Sequence, residues 1–178
     1  MIRKLTHPEL LDRQTERRQH PKIPLVAVVN NIRSLYNVGS IFRTADGVGV
    51  EKLWLCGITG IPPSNQISKI ALGAEKVVAW EYAQRAEEVV RKLKDEGFEI
   101  VMLEQTTRSV PYETYGPHPP VCLVIGNEIT GVGDGLVSLC DRVVEIDMAG
   151  VKNSLNVAVA FGIVTYHFRQ HFVSQKMV

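Results

Sequence analysis

The chain has no paired cysteines, no long apolar run and no dominant charge sign, and each lack removes a class of protein. Its three cysteines, Cys56, Cys122 and Cys140, are odd in number and show no paired spacing. That argues against a disulfide framework or a zinc site and leaves reduced, buried thiols as the expectation. No window reaches ~18 uninterrupted apolar residues, and the N-terminus is charged instead of basic and then apolar, so neither a membrane span nor a signal segment is expected. A soluble, cytoplasmic protein is the resulting expectation. The five histidines form no ligand cluster, no metal is expected, and no Ser/His/Asp arrangement can be assigned. His167, beyond the middle of an apolar helix, reads as a packed or edge residue and not as a base.

The net charge of +1 argues neither for nor against a polyanionic partner. Residues 1–22, however, hold Arg3, Lys4, Arg13, Arg17, Arg18 and Lys22 against Glu9, Asp12 and Glu16, a balance of +3, and the remainder carries −2. This basic N-terminal arm suits either phosphate contact or a solvated helix. Residues 23–178 are long enough for one domain with a sizeable core.

Along that domain short apolar runs alternate with helical patterns. Strands are expected at 25–29, 52–56, 77–80, 98–103, 121–125 and 143–147. Helices are expected at 38–48, with Asn37 as cap, at 67–72, at 83–96 closed by Gly97, and at 136–140. A last helix, apolar on nearly every face from Leu155 through Phe168, follows the caps Asn153 and Ser154 and should be buried. Residues 104–120, with four prolines, form the longest irregular stretch, and loops of this length tend to be functional. The alternation predicts an α/β fold with a mostly parallel sheet flanked by helices. Ligands collect outside the carboxyl ends of such strands, and three unusual loops begin there, after Val29, Ile125 and Asp147.

The first loop carries Asn37, Gly39 and Arg43. Small neighbours, Gly39, Ser40, Thr44 and Ala45, leave room for a large group beside Arg43, whose guanidinium suits either a phosphate clamp or a structural ion pair with Asp46. Arg33 reads as solvated. The second loop, 126–135, is rich in glycine but fits no nucleotide fingerprint: no set of glycines gives G-x-G-x-x-G, and Val132 stands where a phosphate loop needs lysine. It remains a backbone that a ligand can approach closely, or a surface turn, with Glu128 in its midst. The third loop leads into the last helix with more polar groups, Lys152, Asn153, Ser154 and Asn156, than capping requires.

Together the three loops resemble the ordered motifs of the SpoU (TrmH) family of RNA ribose methyltransferases, within the SPOUT superfamily. The first is Asn37-x-Gly39-x-x-x-Arg43-Thr44-Ala45, the second Val124-Ile125-Gly126-Asn127-Glu128 followed by Gly131, and the third Ile146-Asp147-Met148 with Ser154-Leu155-Asn156-Val157. The resemblance implies a C-terminal deep trefoil knot that binds S-adenosylmethionine, a homodimer that uses the apolar last helix, and tRNA or rRNA as substrate. Leu103, Gln105, Gly126, Asn127, Ile146, Met148 and Leu155 would hold the cofactor. Arg43 matches the family's essential arginine. Because an arginine is a poor base, with a pKa above ~12, a role in binding the adjacent phosphate and polarising the 2′-hydroxyl is preferred to its acting as base. Asn37, Glu128, Ser154 and Asn156 would position the nucleotide and brace Arg43, with the subunit that each Asn156 serves left open. A non-catalytic RNA-binding module and a small-molecule methyltransferase are the competing readings.

Overall fold

A computed structural model describes residues 2–17 and 21–177. Seven strands form one sheet in the order β3-β2-β1-β6-β4-β7-β5, and every neighbouring pair is parallel. The strands are β1 (Ile23–Asn30), β2 (Val50–Cys56), β3 (Ala79–Ala83), β4 (Glu99–Leu103), β5 (Val110–Pro111), β6 (Val121–Ile125) and β7 (Arg142–Glu145). Central β1 and β6 are almost wholly buried, as their continuous apolar runs require of strands covered on both faces.

Helices fill both faces. On one side α2 (Leu35–Val48), α3 (Asn65–Ala71), α4 (Ala74–Val77) and α7 (Val157–Ser174) cover Leu25, Ala27, Val29, Leu123 and Ile125, with Phe42, Phe161, Phe168 and Phe172 at the centre. On the other, α5 (Ala86–Asp95) and α6 (Asp134–Val137) cover Val26, Val28, Met102, Cys122 and Val124. The side chains of each strand alternate between the two cores, the period-2 pattern of pleated backbone.

Several elements depart from the sequence expectation for local reasons. The strand placed at 77–80 starts later, because Gly73 at φ 95° opens α4 and the Glu75 carboxylate accepts the Gly73 amide. Residues 104–120 are not wholly irregular. They contribute β5, where Pro111 is tolerated because the strand lies at the sheet edge, and a 3₁₀ turn at Tyr112–Thr114. The arm contains a helix, α1 (His7–Arg17), opened by a capping arrangement in which the Thr6 amide and hydroxyl donate to the Glu9 carboxylate. None of its described residues enters the core; Met1 and residues 18–20, part of the same basic segment, lie outside the described residues. All three cysteines are free. Cys140 is only half-buried, and burial pushes the Cys56 thiol up to about 12.

The last helix is not buried on every side. Phe161, Val164, Phe168 and Phe172 are enclosed, whereas Val159, Tyr166 and Val173 stand exposed. Arg169 ties the helix to the end of α2 by donating to the Val48 carbonyl at 2.7 Å. His167 packs edge-on against Tyr112 and its Nε2 lies 2.9 Å from the Tyr115 carbonyl, a structural setting.

The space beside Gly39 is taken as well. A Cβ there would lie 2.8 Å from both the Ile67 carbonyl oxygen and Ile70 Cβ, so the glycine serves the close approach of α3 to α2. Gly39→Ala should destabilise the protein by about 1–3 kcal/mol, the usual cost of overpacking, read as a lowered midpoint in chemical denaturation; an unchanged midpoint would show that α3 shifts freely.

Candidate active site

The parallel pairing of β1 with β6 sets Val29 beside Ile125, which brings the first two loops side by side. Asn127 builds the second loop. Its Oδ1 accepts the amides of Ile129 (2.9 Å) and Thr130 (3.1 Å), its main chain pairs with Gly131, and its Nδ2 donates to the Asn31 carbonyl at 2.8 Å. Gly126 is required here, since a Cβ would meet the Gly131 carbonyl at 2.5 Å.

Glu128 is held by the first loop. Its carboxylate accepts the amides of Arg33 and Ser34 at 3.3 Å each, and Asn37 Nδ2 at 2.9 Å. Burial pushes this carboxyl up, but the bond from Asn37 and those from main-chain amides outweigh it and leave it below its ordinary value of 4.5. Asn37 can serve Glu128 because it does not cap α2. Ser34 is the cap, its hydroxyl accepting the Asn37 amide at 3.3 Å, which corrects the expectation from local sequence.

The third loop joins the same chain of bonds. Asn156 Nδ2 donates to Asn37 Oδ1 at 3.0 Å, while Asn156 Oδ1 accepts the amides of Ala158 and Val159 and so caps α7. Capping therefore falls to Asn156, not to Asn153 or Ser154. One residue closes the helix with its oxygen and reaches the first loop with its nitrogen. Asn156, Asn37 and Glu128 thus form a directed series of donors and acceptors.

Beside this series lies a cleft of about 250 Å³. Of the expected cofactor residues, Leu103, Gln105, Gly126, Asn127, Ile146 and Leu155 line it, together with Glu128 and Ser154. Met148 does not; it borders an adjoining groove with Asp147 and Lys152. Gln105 and Asn153 separate the two spaces, joined by Gln105 Nε2 donating to the Asn153 carbonyl at 2.7 Å. Arg43 also stays apart from the cleft lining. It is exposed on α2, six residues beyond Asn37 and so ~9 Å further along the helix axis. It forms no ion pair with Asp46 or any other carboxylate among the described residues. The small residues near it do not leave open space: Gly39 abuts α3, Ala45 is in the core and Thr44 faces Gly162.

Two cleft carboxylates were missed from the sequence. Glu104 accepts the amides of Gln105 (2.9 Å) and Val132 (3.0 Å), binding the end of β4 to the glycine-rich loop. Glu145 accepts the Ser109 hydroxyl at 2.8 Å. Each is a carboxylate at the carboxyl end of an apolar strand, which is the signal that could have found it. With Glu128 they give the cleft three carboxylates and, among the described residues, no basic side chain in its lining. Apolar walls at Leu103, Ile125, Ile146 and Leu155 with acidic groups between them suit a planar heterocycle joined to a cationic centre, a description that S-adenosylmethionine meets.

The Asn37 bond to Glu128 can be read by titration. A group whose folded pKa is depressed keeps its bonds at neutral pH and loses them as pH falls through the lowered value. Carbon-detected NMR should place the Glu128 midpoint below 4.5, and Asn37→Ala should move it upward. An unmoved midpoint would remove Asn37 from the account. Asn156→Ala, which deletes the α7 cap, should cost about 0.5–2 kcal/mol in denaturation experiments.

Comparison with known proteins identifies the family. Residues 24–166 match the sequence model of the SpoU rRNA Methylase family. The chain is 34% identical over 146 residues to a tRNA (guanosine(18)-2′-O)-methyltransferase of Aquifex aeolicus, a match covering 80% of this chain and 67% of that protein. The crystal structure of the A. aeolicus TrmH/SpoU tRNA modifying enzyme superposes with a TM-score of 0.83 at 29% identity, covering 96% of this chain and 86% of the other. An AdoMet-bound rRNA methyltransferase from Sinorhizobium meliloti gives 0.79 at 30% identity, with 87% and 59% covered. The chain spans between 57% and 67% of the length of the first curated relatives that it matches. From the order of its motifs, the hydrogen bonds that join them beside one cleft and these likenesses, the chain belongs to the SpoU rRNA methylase family.

Proposed function

We propose that the protein transfers a methyl group from S-adenosylmethionine to a ribose 2′-hydroxyl of tRNA or rRNA. The observation that carries this reading is the series Asn156, Asn37, Glu128, which draws all three motifs to the rim of the cleft. The relatives are named as tRNA and rRNA 2′-O-methyltransferases, and one neighbour holds the cofactor.

When bound, S-adenosylmethionine supplies an electrophilic methyl group. Leu103, Ile146 and Leu155 would enclose its base, the main chain at Gly126 and Asn127 and the Gln105 side chain would border it, and Met148 would lie at the edge of the site. Glu104, Glu128 and Glu145 favour a cationic ligand over a neutral one. Glu128, held by three donors, braces Asn37, and Asn37 in turn orients the amide of Asn156. Ser154, exposed on the cleft wall, offers its hydroxyl to the nucleotide. Arg43 would bind the phosphate beside the target ribose and polarise the 2′-hydroxyl, whose proton would pass to water as its oxygen takes the methyl group and the methyl–sulfur bond breaks.

The domain reading is residues 23–178 as the methyltransferase domain, with residues 1–22 as a basic arm. A C-terminal trefoil knot is supported by the path of the chain. The strands order as β6-β4-β7-β5, α7 returns to pack on α2 and on the 3₁₀ turn, and Gln105 bonds across to residue 153 of the incoming segment. A homodimer is supported by the exposed apolar side of α7, where Val159, Tyr166 and Val173 lack cover, and a second subunit would bring further groups to Arg43. No helix among the described residues is long and apolar enough to cross a membrane, and a tRNA or rRNA substrate supports the cytoplasmic reading.

Methyl-labelled S-adenosylmethionine incubated with the protein and total RNA should give label on ribose; label on a base would refute the regiochemistry. Arg43→Ala should lower transfer on the order of 10²-fold, the scale of losing one charge-stabilising donor, with cofactor affinity by calorimetry unchanged. Full activity in that variant would remove Arg43 from the mechanism.

A further inference from the structure

The carboxyl edge of the sheet is divided in two. Beyond β4, β6 and β7 lies the acidic cleft, whereas the loops beyond β1, β2 and β3 have the opposite character. The connecting residues 31–34, 57–64 and 84–85 hold Arg33 and Arg85 and no carboxylate of their own, with Glu87 and Glu88 following in α5 and Glu128 reaching the Arg33 and Ser34 amides from the cleft side. Arg33 makes no ion pair among the described residues, and Arg85 reaches only the solvent-exposed Glu88 at 3.7 Å. Large apolar side chains face water here: Tyr36 is 55% exposed, Ile58 65% and Tyr82 44%.

These loops are stapled into one ledge. Ile58 N donates to Asn31 Oδ1 at 3.1 Å, and Ile32 N donates to Thr59 Oγ1 at 3.0 Å. The buried Thr59 hydroxyl donates in turn to the Val29 carbonyl at 2.9 Å. Gly57 N bonds to the Ala83 carbonyl, and the Tyr82 hydroxyl lies 3.2 Å from the Gly57 carbonyl oxygen. A surface with its polar groups satisfied internally and its aromatic and aliphatic groups outward gains little as a solvated loop. It matches unpaired nucleobases, which stack on such side chains while cations meet the phosphates between them.

We infer that the ledge carrying Tyr36, Ile58, Tyr82 and Arg33 is the docking surface for the single-stranded RNA that flanks the target nucleotide, with Tyr36 as a base-stacking residue. This rests on the RNA methyltransferase reading and adds to it the direction in which the strand runs, away from the cleft and across the ends of β1, β2 and β3. Tyr36 stands in the first turn of α2, the turn that also carries Asn37 of the donor series. Arg33, whose amide holds Glu128, leaves its guanidinium free for a phosphate.

The test is steady-state methyl transfer at saturating labelled S-adenosylmethionine, varying total RNA from cells that lack this protein. Tyr36→Ala and Ile58→Asp should each raise the KM for RNA about tenfold, the scale of losing one stacked base, with kcat and the calorimetric affinity for S-adenosylmethionine unchanged. Tyr36→Trp, which keeps an aromatic face, should behave as wild type. Unchanged KM in both disruptive variants, with the wild type active, overturns this inference alone. A halved molar mass by light scattering in those variants also overturns it, assigning the ledge to a second copy of the chain. Wild-type protein that binds S-adenosylmethionine yet labels no RNA overturns the functional reading and this one with it.

Discussion

The site depends on the parallel pairing of β1 with β6. Parallel neighbours end on the same edge, and the register that sets Val29 against Ile125 delivers two loops from distant parts of the sequence to one place. The bonds between the first two loops follow from that adjacency. Asn127 can reach the Asn31 carbonyl, and Glu128 can reach the amides of Arg33 and Ser34, only because the two strands stop together. A shift of one residue would also reverse which side chains enter each core, so the burial of Leu25, Ala27 and Val29 on one face and of Val26 and Val28 on the other fixes the register and, through it, the loops.

On this frame the third loop is closed by a residue with two tasks. Asn156 caps α7 with its oxygen and bonds Asn37 with its nitrogen. The helix start and the polar series therefore hold each other in place, and α7, anchored by Phe161 and Phe168 in the core, carries the far wall of the cleft. Glu104 performs the same service for the glycine-rich loop, whose free amide at Val132 it accepts. Carboxylates thus act on this rim as acceptors for backbone groups that sharp turns leave unpaired, and they give the cleft its negative sign without a separate device.

Much of this was legible in the sequence. Continuous apolar runs marked the central strands, because burial on both faces leaves no place for alternation. The spacing of Asn37, Gly39 and Arg43, of Gly126 to Glu128 and of Ser154 to Asn156 marked the three loops. Local signals misled where a tertiary partner competed for the same atoms. Asn37 is a good cap in isolation, but Ser34 takes that role and frees the Asn37 amide for a carboxylate 91 positions away. Gly39 read as room for a ligand, and α3 occupies that room. The last helix read as buried, with a dimer contact implied for it, and in the single chain Val159, Tyr166 and Val173 leave one side open.

The sequence by itself determined the class of fold, the order of its main strands and helices and the residues that carry the family's motifs, since these rest on periodicity and on neighbours along the chain. The tertiary structure alone decided which hydrogen bonds those residues make. Asn156 and Asn37 are 119 positions apart, and nothing in local pattern encodes a bond across that distance. Glu104 and Glu145 stand at the ends of apolar strands in the sequence, but they meet at one cleft because β4 and β7 are neighbours, and the fold leaves Arg43 exposed on α2, without an ion pair among the described residues and outside the cleft lining.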